Sequence, residues 1–93
     1  MREIGYRRGE GYRLGNLGVA YRRLGQTEKA IDYYEQALNI NRQVDDRKAE
    51  AVNLYNLGEL YKDQGGVSQA RQYLEQALTI SREIGLPLAE KSR

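Results

Sequence analysis

A chain of 93 residues with a net charge of +2, no cysteine and no histidine makes one small domain without disulfides, thiolate chemistry or the commonest metal ligands. Its 30% charged residues are ordinary soluble-protein composition, no apolar run is long enough to cross a bilayer, and the N-terminal residues show no signal-peptide core. A reducing, cytoplasmic compartment is the expectation.

Charge is uneven along the chain. Residues 1–25 carry Arg2, Arg7, Arg8, Arg13, Arg22 and Arg23 against Glu3 and Glu10, a balance of +4. Such an end attracts an acidic partner or is a solvated surface.

The first predicted helix spans about 7–24, where Leu14, Leu17, Tyr21 and Leu24 recur at three- and four-residue steps. Gly18 stands on that same face, at a cost of about 1 kcal/mol in helix propensity relative to alanine. Its missing side chain, like that of Gly58, is expected to permit close approach of a small residue, Ala30 or Ala70, on the next helix. Gly25-Gln26 reads as a tight turn with Thr27 as N-cap. A second helix over about 27–44 has a broad apolar arc (Ala30, Ile31, Tyr33, Tyr34, Ala37, Leu38, Ile40, Val44), so it is expected to be covered on more than one side. Asp45-Asp46 reads as a cap for a third helix over about 47–64, rather than as a catalytic carboxylate pair. Gly65-Gly66 and Ser68 repeat the turn and cap before a fourth helix over about 67–84, and Pro87 suits the first turn of another.

The third and fourth helices are the first two over again. A shift of forty residues aligns Leu14 with Leu54, Asn16 with Asn56, Leu17 with Leu57, Gly18 with Gly58, Tyr21 with Tyr61 and Tyr33 with Tyr73, and Glu35-Gln36-Ala37-Leu38 returns as Glu75-Gln76-Ala77-Leu78. A partial third copy is legible in "REIGYRRGE", "RQVDDRKAE" and "REIGLPLAE". The expectation is an all-α solenoid of antiparallel helix–turn–helix pairs, one domain over 1–93. Its units fall at about 7–46 and 47–86, with 1–6 and 87–93 as stubs of neighbouring units.

The order Leu14, Leu17, Gly18, Tyr21, Gly25, Ala30, Tyr34, Ala37, echoed by Leu54, Leu57, Gly58, Tyr61, Gly65, Ala70, Leu74, Ala77, resembles the tetratricopeptide repeat. The 40-residue period and the arginines Arg42 and Arg82 in place of a helix-ending proline resemble the longer variety seen in Leu-Gly-Asn repeat proteins and kinesin light chains. The resemblance implies stacked helical pairs forming a right-handed superhelix, with first helices lining a peptide-binding groove and no enzyme activity.

A face opposite the leucine stripe of the first helix carries Arg8, Tyr12, Asn16, Val19 and Arg23. The second unit places Lys48, Val52, Asn56, Glu59 and Asp63 there, flanked by Tyr55 and Lys62. Side-chain amides both donate and accept, as an extended backbone requires, and the resemblance implies ligand contact for Asn16 and Asn56. The residues completing a clamp for a terminal carboxylate are unmatched, because Gly15 and Val19 fill neighbouring positions. The expected peptide-binding set is Arg8, Tyr12, Asn16, Val19, Arg23, Val52, Tyr55, Asn56, Glu59 and Lys62. The expected partner is a protein or peptide, an acidic one where the N-terminal arginines take part, with no cofactor, nucleic acid or membrane. The alternative is a self-assembling module, because Ile4 and Tyr6 at one end and Ile84, Leu86 and Leu88 at the other leave it uncapped. Dimers or head-to-tail association through those ends are expected.

Overall fold

The computed structural model describes residues 3–85. Four helices follow one another: α1 Glu3–Arg23, α2 Thr27–Gln43, α3 Arg47–Asp63 and α4 Val67–Ile84. Helices α2 to α4 match the sequence-predicted spans to within a residue. Helix α1 starts earlier, at Glu3, because the end of α2 gives it a surface: Gly11 is buried against Ile40 and Asn41, and Arg7 bonds Gln43. Leu86, Pro87 and Leu88 lie outside the described residues, as does the side chain of Ile4.

Three short connections share one geometry. Gly25 (φ 80°), Asp45 (φ 58°) and Gly65 (φ 84°) are left-handed. In each turn the next residue's N–H reaches back five residues: Gln26 to the Tyr21 carbonyl at 2.9 Å, Asp46 to that of Asn41 at 2.8 Å, and Gly66 to that of Tyr61 at 2.8 Å. This Schellman ending satisfies the orphan carbonyls and makes the very next residue the N-cap of the following helix. The caps are therefore Gln26, Asp46 and Gly66, not Thr27 or Ser68, which already stand inside α2 and α4. Among the three, only Asp46 caps with its side chain, accepting from the Ala49 N–H at 3.2 Å.

Sequential helices pack as antiparallel neighbours, with α1 beside α3 in one layer and α2 beside α4 in the other. Tyr34, Leu54, Leu57 and Leu60 form the core with Ala30, Leu38, Ala51, Ala77 and Ile80. The expected leucine stripe of α1 is only partly inside: Leu17 is 41% exposed and Leu24 68% exposed, whereas Leu57 is fully buried. The reason is position in the stack. Helix α3 lies between α2 and α4, while α1 has a packed neighbour on the α2 side alone. Both α2 and α3 are sandwiched, so burial follows place in the stack rather than first- or second-helix type.

The glycines do mark the joint: Gly58 comes against the Ala70 backbone as well as Leu74, whereas the nearest neighbour of Gly18 is Tyr34 rather than Ala30. A Cβ on Gly18 would lie 2.8 Å from the Tyr34 ring; one on Gly58 would lie 2.6 Å from Leu74 Cγ and 3.3 Å from the Ala70 carbonyl oxygen. Beside each joint the tyrosines stack, Tyr21 on Tyr33 with centroids 5.3 Å apart and Tyr61 on Tyr73 at 5.5 Å. Tyr34 is 1% exposed, and at Gly58 the near atom is the branch carbon of Leu74 with a backbone carbonyl behind it, so neither neighbour gives way freely. Gly18→Ala and Gly58→Ala are each expected to destabilise by about 1–2 kcal/mol net of the gain in helix propensity. Urea titrations of the two variants check this; a neutral Gly58→Ala would show that Leu74 moves aside.

Polar contacts repeat with the sequence. Arg7 meets Glu10 at 2.8 Å and bonds Gln43; forty residues on, Arg47 meets Glu50 at 3.2 Å and Glu83 at 2.6 Å. Arg42 adds a 3.0 Å contact to Glu50, joining α2 to α3.

Candidate functional site

Helices α1 and α3 enclose a hollow of about 270 Å³ lined by Gly11, Tyr12, Gly15, Asn16, Val19, Lys48, Ala49, Val52, Asn53 and Asn56. Two of its lining residues on α1, Gly11 and Gly15, are glycines. Gly11, Gly15 and Gly18 stand at i, i+4 and i+7, one helical face. A Cβ on Gly15 would come within 3.4 Å of Asn53 Oδ1, and one on Gly11 within 3.2 Å of Asn41 Nδ2. The glycines at 11 and 15 let α1 lie over these two amides.

Asn41 and Asn53 were no part of the expected site. Asn53 Nδ2 donates to Asn41 Oδ1 at 2.7 Å, with the residues 6% and 1% exposed respectively. The pair ties α2 to α3, and Asn53 lines the hollow. A sequence signal was present, since Asn53 lies four residues before Leu57 on the core stripe, where an amide needs a partner.

Five expected residues line the hollow: Tyr12, Asn16, Val19, Val52 and Asn56. Val19 and Val52 are each 37% exposed, an apolar pair facing across the groove from α1 and α3. Asn16 is exposed and Asn56 half-buried, and neither makes a side-chain hydrogen bond among the described residues. Tyr12 is exposed along its ring, and its hydroxyl donates to Asp46 Oδ2 at 3.4 Å.

The other five sit elsewhere. Arg8 stands beyond Tyr12, 3.9 Å from Asp46. Arg23 is exposed at the far end of α1, with no ion pair among the described residues. Glu59 and Lys62 lie 3.6 Å apart on α3. Tyr55 packs against the core instead of flanking the groove, because its position on α3 turns toward the neighbouring helices.

Electrostatically the face divides in two. Its acids have partners: Asp46 has Arg8 and Tyr12, Glu59 has Lys62, and Asp63 meets Arg22 at 3.0 Å across α1 and α3. Lys48 lines the hollow with no ion pair among the described residues, as Arg23 has none. Shifted titrations lie away from the groove. Burial pushes the Tyr34, Tyr61 and Tyr73 hydroxyls above their ordinary range, and the hydrogen bond to Glu83 holds the Arg47 guanidinium still higher.

Among the described residues no group of histidine, cysteine, aspartate or glutamate is placed to hold a metal ion, and no helix is long and apolar enough to cross a membrane. Comparison with curated proteins and with solved structures returns no match. A family model described as the tetratricopeptide repeat matches residues 12–83. Repeats of this kind are typically non-catalytic modules for protein–protein interaction. With four antiparallel helices in two repeating pairs, glycine joints at Gly18 and Gly58 and that match across most of its length, the chain belongs to the tetratricopeptide-repeat family.

Proposed function

We propose that the groove between α1 and α3 binds an extended or helical segment of a partner protein. The observation that carries this is the pair of unbonded amides, Asn16 and Asn56, beside the apolar surface of Val19 and Val52. Each amide offers a donor and an acceptor to a ligand backbone, and the valines take an apolar side chain. Lys48 and Arg23 favour acidic residues on the ligand, because the acids of this face are already partnered.

The test starts from a random peptide library displayed on phage, enriched on the wild-type chain. Enriched peptides are expected to be acidic with an aliphatic residue. Fluorescence anisotropy of such a peptide is expected to show roughly ten- to hundredfold weaker binding to the Asn16→Ala, Asn56→Ala double variant, from two lost hydrogen-bonding groups at about 0.5–1.5 kcal/mol each. The melting temperature is expected to stay near wild type. A fall in stability with unchanged affinity would instead make the asparagines structural.

A second reading is self-association through the outer faces of the stack. It rests on Leu17, 41% exposed at the position where Leu57 is fully buried.

A further inference from the structure

Faces that are covered in the middle of the stack recur, open, at its ends. Leu17 and Ala20 on α1 are exposed, where Leu57 and Leu60 are 0% and 2% exposed. On α4, Leu74 and Leu78 are half-buried, where Tyr34 and Leu38 on α2 are 1% and 5% exposed. Beside α4 lies an apolar hollow of about 290 Å³, lined by Lys62, Val67, Ala70, Arg71, Leu74 and Glu75. Val67 there is 63% exposed.

Polar chemistry across the stack points the same way. Two hydrogen bonds join the outer layer between repeats: Tyr73 to Glu35 Oε2 at 3.3 Å, and Arg42 to Gln76 Oε1 at 3.4 Å. All four residue types recur forty positions away, as Tyr33, Glu75, Arg82 and Gln36. The chain thus presents acceptor and donor on α4 for mates that it carries on α2.

We infer that a second copy stacks head-to-tail on the first, its α1 and α2 standing to α4 as α3 and α4 stand to α2. Leu17 of the second copy enters the hollow beside Val67, Ala70 and Leu74. Tyr33 of the second copy donates to Glu75, and Arg82 donates to Gln36 of the second copy. Arg42 serves Glu50 and Gln76 at once, so an arginine in this register has donors for more than one acceptor. The inference rests on the self-association reading and adds its partner face and register. One feature holds the association weak: Lys62 meets Arg23 of the second copy, where Arg22 meets Asp63 within the chain. The contact is heterologous, so it leaves an open face at each end and grows by addition.

Sedimentation velocity across a concentration series up to roughly 1 mM, where a weak association of that order is half-formed, reads the outcome. The wild-type chain is expected to gain mass steadily with concentration. Leu17→Glu and Val67→Glu change exposed side chains, keep the helical circular dichroism, and are each expected to sediment as monomers. Their equimolar mixture is expected to form a one-to-one dimer and stop there, since each variant keeps one intact face. A wild-type chain that stays monomeric throughout overturns the reading and the inference together. Association indifferent to both substitutions, or to one of them, leaves self-association standing and overturns this register. So does a mixture that stays monomeric.

Discussion

Replacing Leu57 with alanine is expected to lower the unfolding free energy by about 3 kcal/mol, within the 2–5 kcal/mol range of buried leucine truncations, whereas Leu17→Ala costs less than about 1 kcal/mol. The two leucines are the same residue at the same step of the repeat, forty positions apart. Leu57 is fully buried, with α2 on one side and α4 on the other, so its loss leaves a cavity that packed neighbours cannot close. Leu17 is 41% exposed, and water fills the space its side chain leaves. For a chain of this length the whole stability is on the order of 5–10 kcal/mol, so the Leu57 variant keeps a margin of a few kcal/mol and is expected to stay folded without denaturant. Urea denaturation with matched m-values checks the difference. Similar costs at both positions would mean that α1 is covered in solution, as the head-to-tail stack requires at high concentration, so the measurement belongs at low micromolar protein.

Asn41→Leu or Asn53→Leu alone is expected to destabilise by about 1–3 kcal/mol, and the double replacement by clearly less than the sum. Each single change leaves the other amide buried at the α2–α3 contact without the 2.7 Å partner it has in the native chain. The double change removes both polar groups together, and leucine is close to asparagine in shape. A double-mutant cycle by urea denaturation measures the coupling, and strictly additive costs would falsify the pairing. Asn53 also floors the groove. Binding of a library-derived peptide should therefore weaken in Asn53→Leu even where the variant is fully folded.

Much of the fold is legible in the string of residues. Three- and four-residue apolar steps specify helices, Gly25 and Gly65 specify where two of them stop, and the forty-residue match specifies that one joint is built twice. The misplaced caps show where local reading ends. Thr27 and Ser68 are good capping residues, but the left-handed residue at 25 and 65 fixes the N-cap one step later, at Gln26 and Gly66. A backbone hydrogen-bond pattern outweighed side-chain preference.

The site is half legible. Tyr12, Asn16, Val19, Val52 and Asn56 follow from stepping around a helix, because their face is set by α1 and α3 individually. Tyr55 does not, since whether a half-apolar phase turns to a neighbour or to water depends on which neighbour is there. The Gly11 and Gly15 contacts with Asn41 and Asn53 bring together three helices distant in sequence.

By itself, the sequence determined the helices, the repeat, the family and the glycine joint, because each is written in local spacing and in its recurrence. Only the tertiary structure decided which copy of a repeated residue lies inside. Leu17 and Leu57 are chemically identical, and burial belongs to the surroundings rather than the residue. The same physics decided that Gly18 meets the ring of Tyr34 and that Asn53 bonds Asn41, because close packing and hydrogen bonds act between surfaces that the chain brings together only when it folds.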